Sequence, residues 1–154
     1  MNDYFEKQWV PKIFLIITAA VVVASLYSIY TSYQMLAYST MAIIAGTDVL
    51  LVLIFVNFAQ LTISINGNEL LLAFGWFKKR FVINEISSLE VADYHFRDFG
   101  GYGLRHGRGG VMGFVAGGKR GVKFSYGPQN KKFFFTTDQA EKVYTGLIQS
   151  GAKK

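Results

Sequence analysis

His95 and His106 are the only histidines in the chain, and with Asp93 and Asp98 they form the nearest approach to a ligand or acid–base set. Zinc needs three or four nitrogen, sulfur or carboxylate ligands, usually at a recognisable spacing such as HExxH. Two imidazoles eleven residues apart, without a single Cys, do not supply that pattern. The missing Cys also excludes disulfides, thiolate metal sites, iron–sulfur clusters and Cys nucleophiles. No GxSxG elbow holds a serine against a base. The run Gly101-Tyr102-Gly103-Leu104-Arg105-His106 lacks the third glycine and the following helix of a dinucleotide loop, and no Gly-Lys-Ser/Thr follows any glycine loop. The reading is therefore of a chain with no catalytic residue, no metal and no cofactor.

The chemistry that remains is binding by positive charge. Residues 62–154 carry 14 Lys and Arg against 7 Asp and Glu. Lys78-Lys79-Arg80, Arg97, Arg105, Arg108, Lys119, Arg120, Lys123, Lys131 and Lys132 fall in or near turn-like sequence, so that several are expected at one end of a folded domain. Arg105, His106, Arg108, Lys119 and Arg120 are the candidate binding residues, on a segment, Gly100–Gly121, that holds ten of the sixteen glycines. Gly100, Gly101 and Gly103 are expected as backbone requirements there, within a long permissive loop region. Such a surface suits acidic protein groups or anionic lipid, each basic residue near an anionic membrane contributing about 1 kcal/mol.

One further residue stands out by its surroundings. Between Lys12 and Glu69 the single formally charged residue is Asp48, inside an apolar run. A carboxyl in hydrocarbon is expensive unless paired, protonated or hydrated. Ser25 or the Tyr27 hydroxyl is expected at its depth if the two apolar runs form an antiparallel pair. A contact with another subunit's helix is the rival role, and Ala42 and Gly46 offer the small-xxx-small spacing that such contacts use.

The elements that must position these residues follow from periodicity. With 51% hydrophobic residues, 17% charged and a mean hydropathy of +0.27, part of the chain belongs in a membrane. Residues 13–30 and 41–61 are each long enough to span as helices. A cleaved leader is the weaker reading of the first run, because it continues apolar past Ala24 and a second run follows within ten residues. Lys7 and Lys12 precede the first span, Lys78–Arg80 follow the second, and residues 31–40 carry no Lys or Arg, which predicts both termini on the cytoplasmic side of the cell membrane. After residue 61 the period drops to two. Strands are predicted near 61–65, 69–74, 77–83, 88–94, 111–115, 121–126 and 131–136, the first two joined by a tight turn at Asn66-Gly67-Asn68. Asp138 then opens a helix, with Glu141 completing a capping box and Ala140, Val143, Tyr144, Leu147 and Ile148 on one face.

Phe99-Gly100-Gly101-Tyr102-Gly103-Leu104-Arg105, then Val111 to Phe124 with its Gly117-Gly118-Lys119-Arg120-Gly121-Val122 turn, then Lys132-Phe133-Phe134-Phe135-Thr136-Thr137-Asp138, resemble prokaryotic pleckstrin-homology-like (PH-like) domain proteins. The resemblance runs in order over residues 62–150, and many such proteins carry a two-span hairpin ahead of the domain. It implies an α+β fold: a transmembrane helical hairpin, then a seven-stranded β-barrel or sandwich capped by a C-terminal helix. It implies little about activity.

The organisation expected is therefore residues 1–61 as an N-terminal segment with the hairpin and 62–154 as a cytoplasmic domain. The function expected is a non-enzymatic binding, assembly or regulatory module, an accessory subunit of a larger membrane complex or a homo-oligomer. Its partners would be membrane lipids and either protein subunits or copies of itself, and not nucleic acid, whose recognition motifs are missing. A sensor of anionic lipid headgroups and an accessory subunit of a channel or transporter are the alternatives.

Overall fold

The computed structural model describes residues 4–35 and 37–153. Its contacts divide the chain into two units: Pro11–Asn57, and a second that joins the residues up to Val10 to those from Phe58 onward.

The first unit is a pair of helices, α1 (Lys12–Gln34) and α2 (Tyr38–Phe58), each long and apolar enough to cross a membrane. Most of their side chains are exposed and the rest are half-buried, Asn57 alone being buried. A core helix of a soluble protein would bury one face. α1 runs four residues past the C-terminal end of its apolar run and α2 begins three residues ahead of its own, and α2 stops at Phe58, because Gln60 and Leu61 already belong to a strand.

In the second unit two sheets share one core. Strands β1 (Tyr4–Trp9), β2 (Gln60–Asn66), β3 (Glu69–Phe74) and β4 (Phe77–Val82) form an antiparallel sheet in that order. β5 (Ile86–Asp93), β6 (Gly103–His106), β7 (Met112–Val115), β8 (Arg120–Tyr126) and β9 (Lys131–Thr136) form the other, in the order β5-β8-β9-β7-β6 with β7 and β9 parallel. A four-residue helix, α3 (Phe96–Phe99), precedes β6, and α4 (Ala140–Gln149) closes the chain. Alternation puts Leu61, Ile63 and Ile65 of β2 inward, facing Phe124, Phe133 and Phe135 of the second sheet and Val143 and Leu147 of α4 in one core.

The described residues thus hold nine strands in two sheets and no closed barrel. The reason lies at Ile83–Glu85, a short 3-10 turn that carries the chain from β4 into β5 without a ladder between them. Aromatic rings join the sheets instead: Phe81 meets Phe124 at 5.0 Å and Phe133 at 4.8 Å, and Phe74 lies over Phe114 at 6.4 Å.

Two expectations of the sequence change here. Residues 4–9 do not belong with the hairpin, because β1 pairs with β2 over its whole length, Tyr4 opposite Ile65 and Trp9 opposite Gln60. The helical pair is therefore an insertion between two neighbouring strands. The helix α4 starts at Ala140, not at Asp138, and no capping box forms: Glu141 binds Arg120, while the Asp138 amide is satisfied by Glu6 of β1.

Candidate functional site

Glycine in the segment 100–121 makes room for rings. Gly100, the residue after α3, has φ +68, a left-handed conformation suited to glycine at a helix end. Gly101 (φ +141) and Gly103 (φ +93) likewise lie where L side chains are strained. At Gly107 and Gly113 space decides, since a Cβ would come within 2.8 Å and 2.6 Å of the Phe99 ring. That ring stacks on Phe134 at 4.9 Å and on Tyr94 at 5.9 Å, and the Tyr94 hydroxyl donates to the Gly101 carbonyl at 3.0 Å. Burial pushes the Tyr94 phenol above the ordinary tyrosine value, the Tyr102 phenol adding to the rise. Val111, Val115 and Phe134, with Ala92, Tyr94, Phe99 and Tyr102 around them, make a second, smaller core on the outer face of β9. The expected permissive loop is thus a helix turn, a hairpin and a ring stack.

The candidate basic residues do not share one end of the domain. Arg105 and His106 are exposed on the edge strand β6, where Arg105 Nε donates to the Tyr102 carbonyl at 2.8 Å. Arg108 lies at the tip of the β6–β7 hairpin, beyond the His106–Met112 pair. The register places Lys119 and Arg120 past the opposite end, beside the row Gly103, Val115, Thr136, Gly121. About 10 Å of strand separates the two rows. Arg120 is engaged by Asp93 at 3.4 Å and Glu141 at 3.1 Å, all well exposed, so that these pairs add little stability. Lys123 pairs with Glu90 at 2.6 Å. Arg105, Arg108, Lys119, Lys131 and Lys132 have no ion pair among the described residues.

The end that holds Arg108 gathers other cations. Lys131 and Lys132 open β9, exposed, and Lys79 Nζ sits 4.3 Å from the centre of the Phe133 ring and 5.5 Å from that of Phe81. Burial lowers the Lys79 pKa, and the charge of Lys131 lowers it further. A cation over aromatic faces beside a like charge is an arrangement that an arriving anion would stabilise.

Sequence reasoning missed a polar cluster built by β1. Gln8, 3% exposed, accepts from Thr136 Oγ1 at 2.7 Å and donates to Asp138 Oδ1 at 3.0 Å, while Thr136 Oγ1 accepts from the Ala116 amide. Glu6 accepts from the Tyr4 hydroxyl, the Thr137 hydroxyl and the Asp138 amide. Burial first, and then the bond to Glu6, hold the Tyr4 phenol far above the ordinary value. The only local signal was a strand-like alternation in Tyr4–Trp9 whose inward residues, Tyr4, Glu6 and Gln8, are mostly polar.

Within the helical pair, Ser25 Oγ lies 2.8 Å from Asp48 Oδ1, the contact expected from matched depth. The same hydroxyl lies 3.0 Å from the carbonyls of Val21 and Val22, so its one proton is shared among three acceptors. Gly46 has open space where a Cβ would stand, and Ala42 and Ala45 are exposed beside it.

Comparison with protein-family models, with curated proteins and with solved structures finds no match to this chain. The PH-like resemblance rests on the motif residues themselves.

Proposed function

We propose that this chain is a two-span membrane protein whose α1–α2 pair crosses the cell membrane and whose PH-like domain is a non-enzymatic binding module on the cytoplasmic side. It would serve as an accessory subunit of a larger membrane complex, a channel or transporter among them, or of a homo-oligomer. The observation that carries this reading is the β1–β2 ladder. Trp9 pairs with Gln60, and the Val10 amide donates to the Ala59 carbonyl at 3.0 Å. Val10 and Pro11 are all that separates β1 from α1, and Ala59 all that separates α2 from β2. Two spans put both flanks on one side, and the ladder independently requires it. A module tethered so closely meets partners in the same membrane at a high effective concentration. The basic flanks, with no basic residue in residues 31–40, favour the cytoplasmic side.

The partner surface of this reading is the β6–β7 hairpin, where Arg105, held by the Tyr102 carbonyl, and Arg108 at the tip are both exposed and suit bidentate contact with a carboxylate or phosphate. The test is purification of the whole protein from its own membrane in mild detergent, with mass spectrometry of what accompanies it. Defined partners, or extra copies of the chain, that are lost when Arg105 and Arg108 are both changed to Ala support the reading. A purified monomer unaffected by the change counts against it.

A second reading, binding of anionic headgroups, has its own support in Arg108, Lys131, Lys132 and Lys79. It expects the whole protein to be stabilised in anionic over neutral nanodiscs, an effect that salt weakens.

A further inference from the structure

The hairpin loop between β3 and β4 has two residues, Gly75 and Trp76, since Phe74 pairs with Phe77. Gly75 takes φ +48, as the first position of such a loop favours, but the second position carries a tryptophan that is 78% exposed. Turn tips are ordinarily polar. A large ring exposed at one puts apolar surface where polar residues are usual.

The sheet register says which. Gln60 pairs with Trp9, and Leu61, one residue on, pairs with Phe74, so the Gly75–Trp76 loop stands at the end of the sheet where the chain passes into α1 and out of α2. Trp9 is 65% exposed at that same end. Phe77 is half exposed there and stacks on Phe58 at 5.4 Å. One step back on the outer face of the sheet come Lys7, Thr62, Ala73 and Lys78, in register across all four strands. Two residues along a strand are about 7 Å. That is close to the depth of a headgroup layer, of which a bilayer of 40–45 Å with a 30 Å hydrocarbon core has about 5–8 Å on each side. Tryptophan prefers the boundary with the acyl chains, and lysine the phosphates above it.

We infer that the Gly75–Trp76 loop is a membrane-docking lip: Trp76, with Trp9 and Phe77, inserts at the lipid interface of the bilayer that holds α1 and α2, and Lys7 and Lys78 lie at its phosphates. The lip rests on the two-span reading and adds a third attachment point, which fixes the orientation of the domain against the membrane. The occupant is lipid rather than protein because Trp9 and Trp76 each stand two residues from a lysine, Lys7 and Lys78, the spacing of the interface, at the end from which the helices depart.

Trp9 and Trp76 are the only tryptophans in the chain, which gives each a clean fluorescence signal once the other is replaced. The whole protein is reconstituted in nanodiscs of pure lipid, as Trp9→Phe to report on Trp76 and as Trp76→Phe to report on Trp9. Lipids brominated at the shallow acyl positions serve as the membrane quencher and iodide as the aqueous one. Trp76 is expected to lose emission to brominated lipid to the same extent as Trp9, and to resist iodide. If Trp9 answers to brominated lipid while Trp76 answers only to iodide, the lip is wrong and the hairpin stands; the loop is then a surface for protein. If neither tryptophan answers to lipid and alkaline carbonate extracts the protein from native membranes, the two-span reading fails and takes the lip with it.

Discussion

Phe99 shows how glycine and an aromatic ring specify one another. A Cβ at Gly113 would stand 2.6 Å from the ring. Gly113→Ala therefore displaces Phe99 and is expected to cost about 1–3 kcal/mol by overpacking, read as a lower melting temperature of the whole protein in detergent. Adding Phe99→Leu should restore part of the loss, so that the two changes are not additive; strictly additive losses would place the ring elsewhere. Tyr4 makes the second residue-scale case. Its hydroxyl bond to Glu6 should make Tyr4→Phe about 1 kcal/mol less stable near neutral pH. Because its phenol titrates higher in the folded than in the unfolded chain, that contribution is whole below the ordinary tyrosine value of about 10. It declines as pH rises from there towards the folded value. Wild type and Tyr4→Phe should accordingly converge in denaturant titrations carried from pH 8 towards pH 11.

Among the elements, β2, β3, β4, β5, β7, β8 and β9 each overlap a stretch that the sequence marks as a strand, and β2 and β3 show why most plainly, since Leu61, Ile63 and Ile65 and then Leu70, Leu72 and Phe74 are buried at the strand period. The Asn66-Gly67-Asn68 turn could be read because it needs a positive φ, which Gly67 supplies at +58. The buried face of α4 was visible for the same reason, in Ala140, Val143 and Leu147. β1 escaped because it reverses the rule: Phe5, Lys7 and Trp9 face out, and Glu6 and Gln8 face in, satisfied by Thr136, Thr137 and Asp138 some 130 residues away. No local pattern carries that information. β6 escaped because four residues, Gly-Leu-Arg-His, are too few to show a period. Two consequences follow from β1. Gln8→Ala leaves the buried Thr136 hydroxyl short of a partner and should cost about 1–3 kcal/mol, whereas Gln60→Ala, half-buried on the outer face, should cost under about 0.5 kcal/mol. A fragment beginning at residue 62 lacks β1 and should not fold, while a chain in which Asn-Gly replaces residues 10–59 keeps the ladder through a two-residue turn and should be soluble and folded. Circular dichroism and proton spectra of the two distinguish them.

For the whole molecule, the insertion of a helical pair between adjacent strands turns a sheet ladder into a statement about membrane topology. On the proposed two-span reading, the chain must return to the side from which it left, since Tyr4–Trp9 and Gln60–Ile65 hydrogen-bond to each other. The sequence showed two apolar runs long enough to span and their basic flanks, but placed the first ten residues with the apolar helices. The candidate site was legible only in part: the positive φ of Gly100, Gly101 and Gly103 could be read, yet the division of the basic residues between two ends of a sheet depends on a register that no motif encodes. Impermeant thiol labelling of single-Cys variants in intact cells tests the central claim most directly, because the chain has no Cys of its own. The account predicts that Ser39→Cys is modified in intact cells, and that Phe5→Cys and Gln149→Cys both react only after lysis. Modification of Gln149→Cys in intact cells, or opposite responses from Phe5→Cys and Gln149→Cys, would contradict it.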